Sequence, residues 1–247
     1  MSKEQWVFRH SHKLSYYPEK WKKHARFKEN PFDEPLTPFG MQLATRCGKF
    51  ISEKSKALRE GRIKFIYCSP FTRCMQTAIQ IIKVVKKTLN HNLKIVVVYD
   101  LGESLLGRDT VSIKNGKIKL TKAKYATFYG SRGKWTSTVD KKMEPAGLEK
   151  RFGEYIEGCV YSKLGIENWG DESKRMFKAI KAISNKTESS IIVGHAHTLD
   201  LAFNYFANPS EPLTSYTFGG PNNVCTVMGF SCSEKDKWKI IQKPKVP

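Results

Sequence analysis

The sequence predicts an α/β fold, a three-layer α/β/α sandwich with a mostly parallel central sheet, on three observations. Short apolar runs rich in β-branched and aromatic residues recur at Trp6 to Phe8, Lys64 to Tyr67, Ile95 to Tyr99, Ser190 to Val193 and Cys225 to Phe230. Longer stretches with helical spacing lie at Thr37 to Ser55, Phe71 to Leu89, Asp171 to Ser184 and Thr198 to Phe206. The two kinds of segment alternate, as they do where helices cover both faces of a parallel sheet.

Helix entries are marked at Thr37-Pro38 and Ser69-Pro70, where a capping oxygen precedes a proline of the first turn. Between residues 111 and 120, Asn115-Gly116 sits between alternating apolar positions, a strong signal for a tight hairpin. From about 105 to 145 the chain is rich in Lys and Gly with isolated aromatics, an excursion from the core rather than a second domain. The 247 residues, 1–247, read as one domain, because nothing in the middle resembles a linker and no repeat is evident.

A hydrophobic fraction of 40% and the five Trp, ten Tyr and fourteen Phe argue against disorder. Forty-three Lys and Arg against twenty-three Asp and Glu give a net charge of +20, which points to an anionic partner. Nucleic acid, an acidic membrane surface and a phosphorylated substrate all fit such a field, and charge alone does not rank them. No basic run of five residues occurs, and the sequence shows no nucleic-acid-binding fold or basic-aromatic motif. The six cysteines follow no disulfide or zinc spacing, so reduced thiols are expected. A strand-like segment begins almost at once, no apolar run approaches membrane-spanning length, and the expected address is cytoplasmic, which leaves the Asn185-Lys-Thr187 sequon without use.

In open α/β sheets, ligands bind beyond the carboxyl ends of the strands. Arg9-His10 follow the first run, Ser69-Pro70 lead from the second to Arg73, Glu103 follows the third, and His195 the fourth. Arginine forks match phosphate oxygens, and an unprotonated imidazole can attack phosphorus. The grouping therefore suggests phosphoryl chemistry, with each polar residue ending an apolar strand where structural needs alone would not repeatedly put charge.

Four ordered motifs sharpen this: WVFRHSHK at 6 to 13, DEPLTPFGMQLA at 33 to 44, IYCSPFTRCMQTA at 66 to 78 and IIVGHAHTLD at 191 to 200. They resemble the histidine phosphatase, or phosphoglycerate mutase-like, superfamily. Within it they are most similar to the phosphatase domain of the suppressor-of-T-cell-receptor-signalling proteins and the ecdysteroid-phosphate phosphatases. The resemblance extends to GFSCSEKDKWKI at 229 to 240. It implies a metal-independent phosphatase for phosphate monoesters, phosphotyrosine or a small organic phosphate, acting through a phosphohistidine on His10 without a cofactor. It further implies phosphate held by Arg9, Arg73, His195 and, where this branch usually has arginine, Lys13. Glu103, in the DLGES segment, matches the general acid and base. Relatives of this type often pair, which implies a homodimer.

Departures qualify the match. Ser11 stands where the family usually has glycine, adding a hydroxyl that either crowds the phosphate or makes an extra hydrogen bond, and Lys13 cannot reproduce a guanidinium fork. The alternatives are a catalytically weakened phospho-ligand-binding scaffold, or a phosphoglycerate-type mutase. His10/His12 and His195/His197 form two His-x-His pairs, but carboxylates or thiolates at ligand spacing are missing, so no metal is expected. Tyr16, Tyr17, Trp21, Phe27 and Phe32 are read evenly as leaving-group pocket or as core.

Overall fold

The structure is a computed structural model that describes residues 2–29, 33–103, 111–114, 117–120, 154–160, 169–207, 217–234 and 237–247. Among the described residues the central sheet has seven strands: β1 (Lys3–Arg9), β2 (Ile63–Cys68), β3 (Lys94–Val98), β6 (Ile156–Val160), β7 (Ser189–Gly194), β8 (Val227–Glu234) and β9 (Lys237–Lys245), in the order β6-β3-β2-β7-β1-β8-β9. The first five in that order run parallel, and β8 runs antiparallel to both of its neighbours, β1 and β9. Strands β4 (Val111–Lys114) and β5 (Lys117–Leu120) pair antiparallel on either side of Asn115-Gly116. Most of the 105–145 excursion lies outside the described residues.

Alternation along each strand builds two cores. Trp6, Phe8, Ile66, Ile95, Val97, Ile191 and Val193 face one side, where Leu43, Cys47 and Ile51 of α3 (Pro38–Lys54) and Met75, Ala78 and Val85 of α5 (Thr72–Leu89) pack on them. Val7, Tyr67, Val96 and Ile192 face the other, against Ile180 and Ile183 of α6 (Trp169–Ser184) and Leu199, Ala202 and Phe206 of α7 (Ala196–Ala207). The three layers follow from this two-sided burial, each apolar side chain of which contributes roughly 1.5–3 kcal/mol. Helices α3 and α5 approach closely at Gly48, where an added Cβ would lie 2.7 Å from Cβ of Val84. Short helices α1 (Pro18–Lys23), α2 (Ala25–Glu29) and α4 (Lys56–Arg59), and strands β6 and β9, lack the long periodic runs that marked the other elements.

Thr37 caps α3 as expected, its Oγ1 accepting from the Gly40 amide at 3.0 Å. The second entry differs. Helix α5 begins at Thr72, and its first amide donates to Oδ1 of Asp33 at 2.7 Å, so a carboxylate from a distant loop does the capping. Ser69, whose Oγ accepts from the Phe71 amide at 3.5 Å, also joins the site described below. Among the described residues no helix is long and apolar enough to cross a membrane, and Cys47, Cys68, Cys74, Cys225 and Cys232 are buried free thiols.

Candidate active site

The carboxyl ends of β1, β2, β3 and β7 are neighbours in the sheet, and their following residues converge. His10 is held on both sides by ladder continuation: its amide donates to the Gly194 carbonyl at 2.9 Å, and its carbonyl accepts from the Cys225 amide at 3.2 Å. The next residue locks the loop against two helices. Ser11 donates its amide to Oγ1 of Thr77 at 3.0 Å and its hydroxyl to the Gly40 carbonyl at 2.6 Å. The serine hydroxyl is thus used in the scaffold, an extra hydrogen bond rather than crowding. Gly40 is required there, since a Cβ would lie 2.2 Å from the carbonyl oxygen of His12.

His10 is 3% exposed, and its Nδ1 lies 2.8 Å from the Ser11 carbonyl oxygen. A carbonyl oxygen only accepts, so Nδ1 carries the proton and Nε2 keeps its lone pair. Burial lowers the His10 pKa well below its ordinary value, reinforced by the charges of Arg73, Arg9, His195 and Lys13 in that order. The ring is therefore a neutral imidazole at physiological pH.

Arg73, in the first turn of α5, is fully buried. Its Nη2 donates to Oε2 of Glu103 at 2.8 Å and to Nδ1 of His195 at 3.3 Å, while Nη1 lies 3.6 Å from Oε2 of Glu34. Burial opposes the guanidinium charge, but Glu34 and then Glu103 outweigh it and raise the pKa above the ordinary arginine value. The guanidinium also stacks over the Phe71 ring at 4.2 Å. His195 accepts at Nδ1 from Arg73, which puts its ring proton on Nε2, 2.9 Å from Oγ of Ser69. Its ring centroid is 5.5 Å from that of His10.

Arg9 is steered by a second loop, donating to the Gly220 carbonyl at 2.6 Å and to the Tyr16 hydroxyl at 2.9 Å. Lys13 sits 2.6 Å from Oε1 of Glu34. Glu103 is 16% exposed and lies 3.5 Å from Nδ1 of His195. The six residues singled out in the sequence therefore form one cluster linked by direct contacts or charge, with Arg9, His10, Arg73 and His195 buried and Lys13 and Glu103 half-buried.

The His-x-His pairs separate: His12 packs against Tyr16, Tyr17 and Phe39 at centroid distances of 4.9, 5.6 and 5.6 Å, and His197 meets Oγ of Ser173 at 2.7 Å. The aromatic reading also splits. Tyr16 and the 46%-exposed Tyr17 stand at the rim, Trp21 and Phe27 pack edge to face at 5.6 Å, and Phe32 lies outside the described residues. Sequence reasoning missed Asp33, Glu34, Ser69 and Thr77 as parts of the site. The one available signal was Asp33-Glu34, two acids ahead of an apolar helix in an otherwise basic chain.

Residues 18–110 match the family model described as histidine phosphatase superfamily (branch 1), a stretch that includes Arg73 and Glu103. No curated protein matches the sequence. Among solved structures, the ecdysone phosphate phosphatase of Bombix mori, in complex with tungstate, superposes with a TM-score of 0.60 at 18% identity, covering 99% of this chain and 94% of that one. YhfR of Bacillus stearothermophilus gives 0.54 at 18% identity over 99% and 98%, and mycobacterial hydrolase 1 gives 0.53 at 14% over 100% of both. The sequence match to the histidine phosphatase superfamily is confined to residues 18–110, and the likeness to the solved structures, which runs along nearly the whole chain, is one of fold.

Proposed function

We propose that this protein is a phosphatase that hydrolyses phosphate monoesters through a phosphohistidine on His10. The observation that carries the reading is the state of that ring: neutral, buried, with its proton fixed on Nδ1 by the Ser11 carbonyl, amid cationic side chains. Such a ring has a lone pair on Nε2 and no proton to lose before attack.

In the first step Nε2 bonds to phosphorus as the ester P–O bond breaks, and Glu103 gives its proton to the leaving oxygen. In the second, water attacks the phosphohistidine, Glu103 takes the water proton, and inorganic phosphate leaves with Nε2 restored. Glu103 is ion-paired with Arg73 in the resting site, its Oε2 2.8 Å from Nη2. Phosphate oxygens arriving on Arg73 compete with Glu103 for that guanidinium, which frees the Glu103 carboxyl for the leaving oxygen. The cations of Arg9, Arg73 and Lys13 offset the charge on the equatorial oxygens, with His195 held beside them, so no step in this scheme calls on a metal. The substrate is phosphotyrosine or a small organic phosphate, with Tyr17 and Phe39, 46% and 51% exposed, available to an apolar leaving group.

The test is turnover of para-nitrophenyl phosphate with chelator present, alongside alkaline quench of enzyme incubated with ³²P-labelled substrate. Wild type should turn over and carry alkali-stable label, whereas His10→Ala should do neither while unfolding at a similar temperature. Full activity in His10→Ala would remove the nucleophile assignment. One observation favours the weakened-scaffold alternative: Glu34 already engages Lys13 and Arg73. Wild type that binds phosphate yet shows no turnover at any pH would establish it.

A further inference from the structure

Glu34 belongs to none of the roles above, yet it lies within the cation cluster. Its carboxylate is 2% exposed, with Oε1 on Nζ of Lys13 at 2.6 Å and Oε2 on Nη1 of Arg73 at 3.6 Å. Oγ of Ser15 donates to Oε1 at 3.1 Å. Lys13, Glu34, Arg73 and Glu103 thus form a chain of alternating charge that reaches Nδ1 of His195.

The placement is rigid. Asp33, immediately before, is fully buried and accepts from the amide and hydroxyl of Thr72 at 2.7 and 2.6 Å and from Nη2 of Arg26 at 2.9 Å. The Leu36 amide, two residues on, donates to Oε1 of Gln76 at 2.7 Å, and the Leu14 amide donates to the Pro35 carbonyl at 2.8 Å. The loop bearing Glu34 is therefore fastened to the same helical turn that bears Arg73, and to the strand of chain that bears Lys13. A carboxylate fixed in this way cannot swing away at small cost when an anion arrives.

We propose that Glu34 is a built-in counter-anion that holds Lys13 and Arg73 in the empty site and competes with phosphate for them, so that it sets the affinity for phosphate and hastens release of the product. This deepens the phosphatase reading and rests on it for the identity of the ligand. The carboxylates of Glu34 and Glu103 set against the cations of Arg9, Lys13 and Arg73 leave these side chains a single net positive charge. A phosphate dianion in contact with Arg73 would then lie within a few ångströms of Glu34, a like charge in a poorly screened interior. Neutralising Glu34 while keeping its shape removes that repulsion and retains an acceptor for Lys13.

The test is calorimetric titration of the full chain with inorganic phosphate, and separately with orthovanadate, at fixed pH and ionic strength. Glu34→Gln should bind phosphate about tenfold tighter or more. In para-nitrophenyl phosphate turnover it should lower KM and the phosphate inhibition constant together, and lower kcat where release limits the rate. Glu34→Asp, which keeps the charge, should stay within about threefold of wild type. Should Glu34→Gln fail to fold, Lys13→Met/Glu34→Gln is compared with Lys13→Met, and the double variant should bind phosphate about tenfold tighter. Equal or weaker binding on neutralisation, or equal tightening in Glu34→Asp, overturns the proposal and leaves Glu34 as a structural partner of buried Arg73. Because binding is read directly, tighter phosphate without turnover would support this role while refuting hydrolysis.

Discussion

Replacing Gly40 by alanine tests whether the nucleophile loop depends on close contact with the start of α3. The new Cβ would lie 2.2 Å from the His12 carbonyl oxygen, and 3.1 and 3.2 Å from the carbonyl carbon and amide nitrogen. Carbon and oxygen tolerate an approach of about 3.3 Å, so loop and helix must separate by roughly 1 Å. That movement strains the Thr37 amide bond to the His12 carbonyl, now 3.0 Å, and the Ser11 hydroxyl bond to the Gly40 carbonyl, now 2.6 Å. Overpacking of this kind costs about 1–3 kcal/mol. In a domain of this size each kcal/mol lowers Tm by about 2–4 °C. Catalysis should suffer more, because a displacement of about 1 Å at a reacting group can cost on the order of 10²-fold in rate. Differential scanning calorimetry and kcat/KM for para-nitrophenyl phosphate measure the two effects on one preparation. An alanine variant within about twofold of wild-type kcat/KM and about 1 °C of its Tm would show that the loop does not depend on this contact.

Further outcomes follow from the same geometry. Glu103→Gln should slow alkyl phosphates by about 10²-fold or more and activated aryl phosphates much less, because only the former need a protonated leaving oxygen; equal losses would count against the acid assignment. Since burial and neighbouring cations depress the His10 pKa, the ring should stay neutral below pH 6.5, and ¹⁵N chemical shifts of labelled protein should show no imidazolium there. The sign for stability follows: between the folded and the ordinary pKa the unfolded chain binds more protons at this position. Wild type should therefore lose stability as pH falls below 6.5, and His10→Gln should lose less, as read by Tm across pH 4.5 to 7.5; parallel curves would contradict the burial argument.

How far the sequence revealed the molecule depended on the range of the interactions involved. Strands such as Trp6 to Phe8 and Ser190 to Val193 were legible because two-sided burial demands continuous apolar runs, and Thr37 because its cap is local. The site residues at strand ends were legible because charge there breaks an apolar pattern. The start of α5 was misread because its cap, Asp33, lies 39 positions from Thr72 in sequence, and no local pattern encodes that contact. Glu34 was passed over for the same reason, since its meaning lies in Lys13 and Arg73, which only the fold brings to it. Ser11 was seen as a departure but not resolved, because the acceptor for its hydroxyl belongs to another element.

The outer strand of the sheet has a consequence for assembly. Strand β9 ends the strand order, and its sequence, Lys237-Trp-Lys-Ile-Ile-Gln-Lys-Pro-Lys245, sets four lysines and a proline along that border with no acidic residue to offset them. A second copy offering the same border would meet like charge along its length and a gap in the amide ladder at Pro244. Lateral growth of the sheet from molecule to molecule is thus discouraged at this margin, and a pairing of two copies would have to use another face.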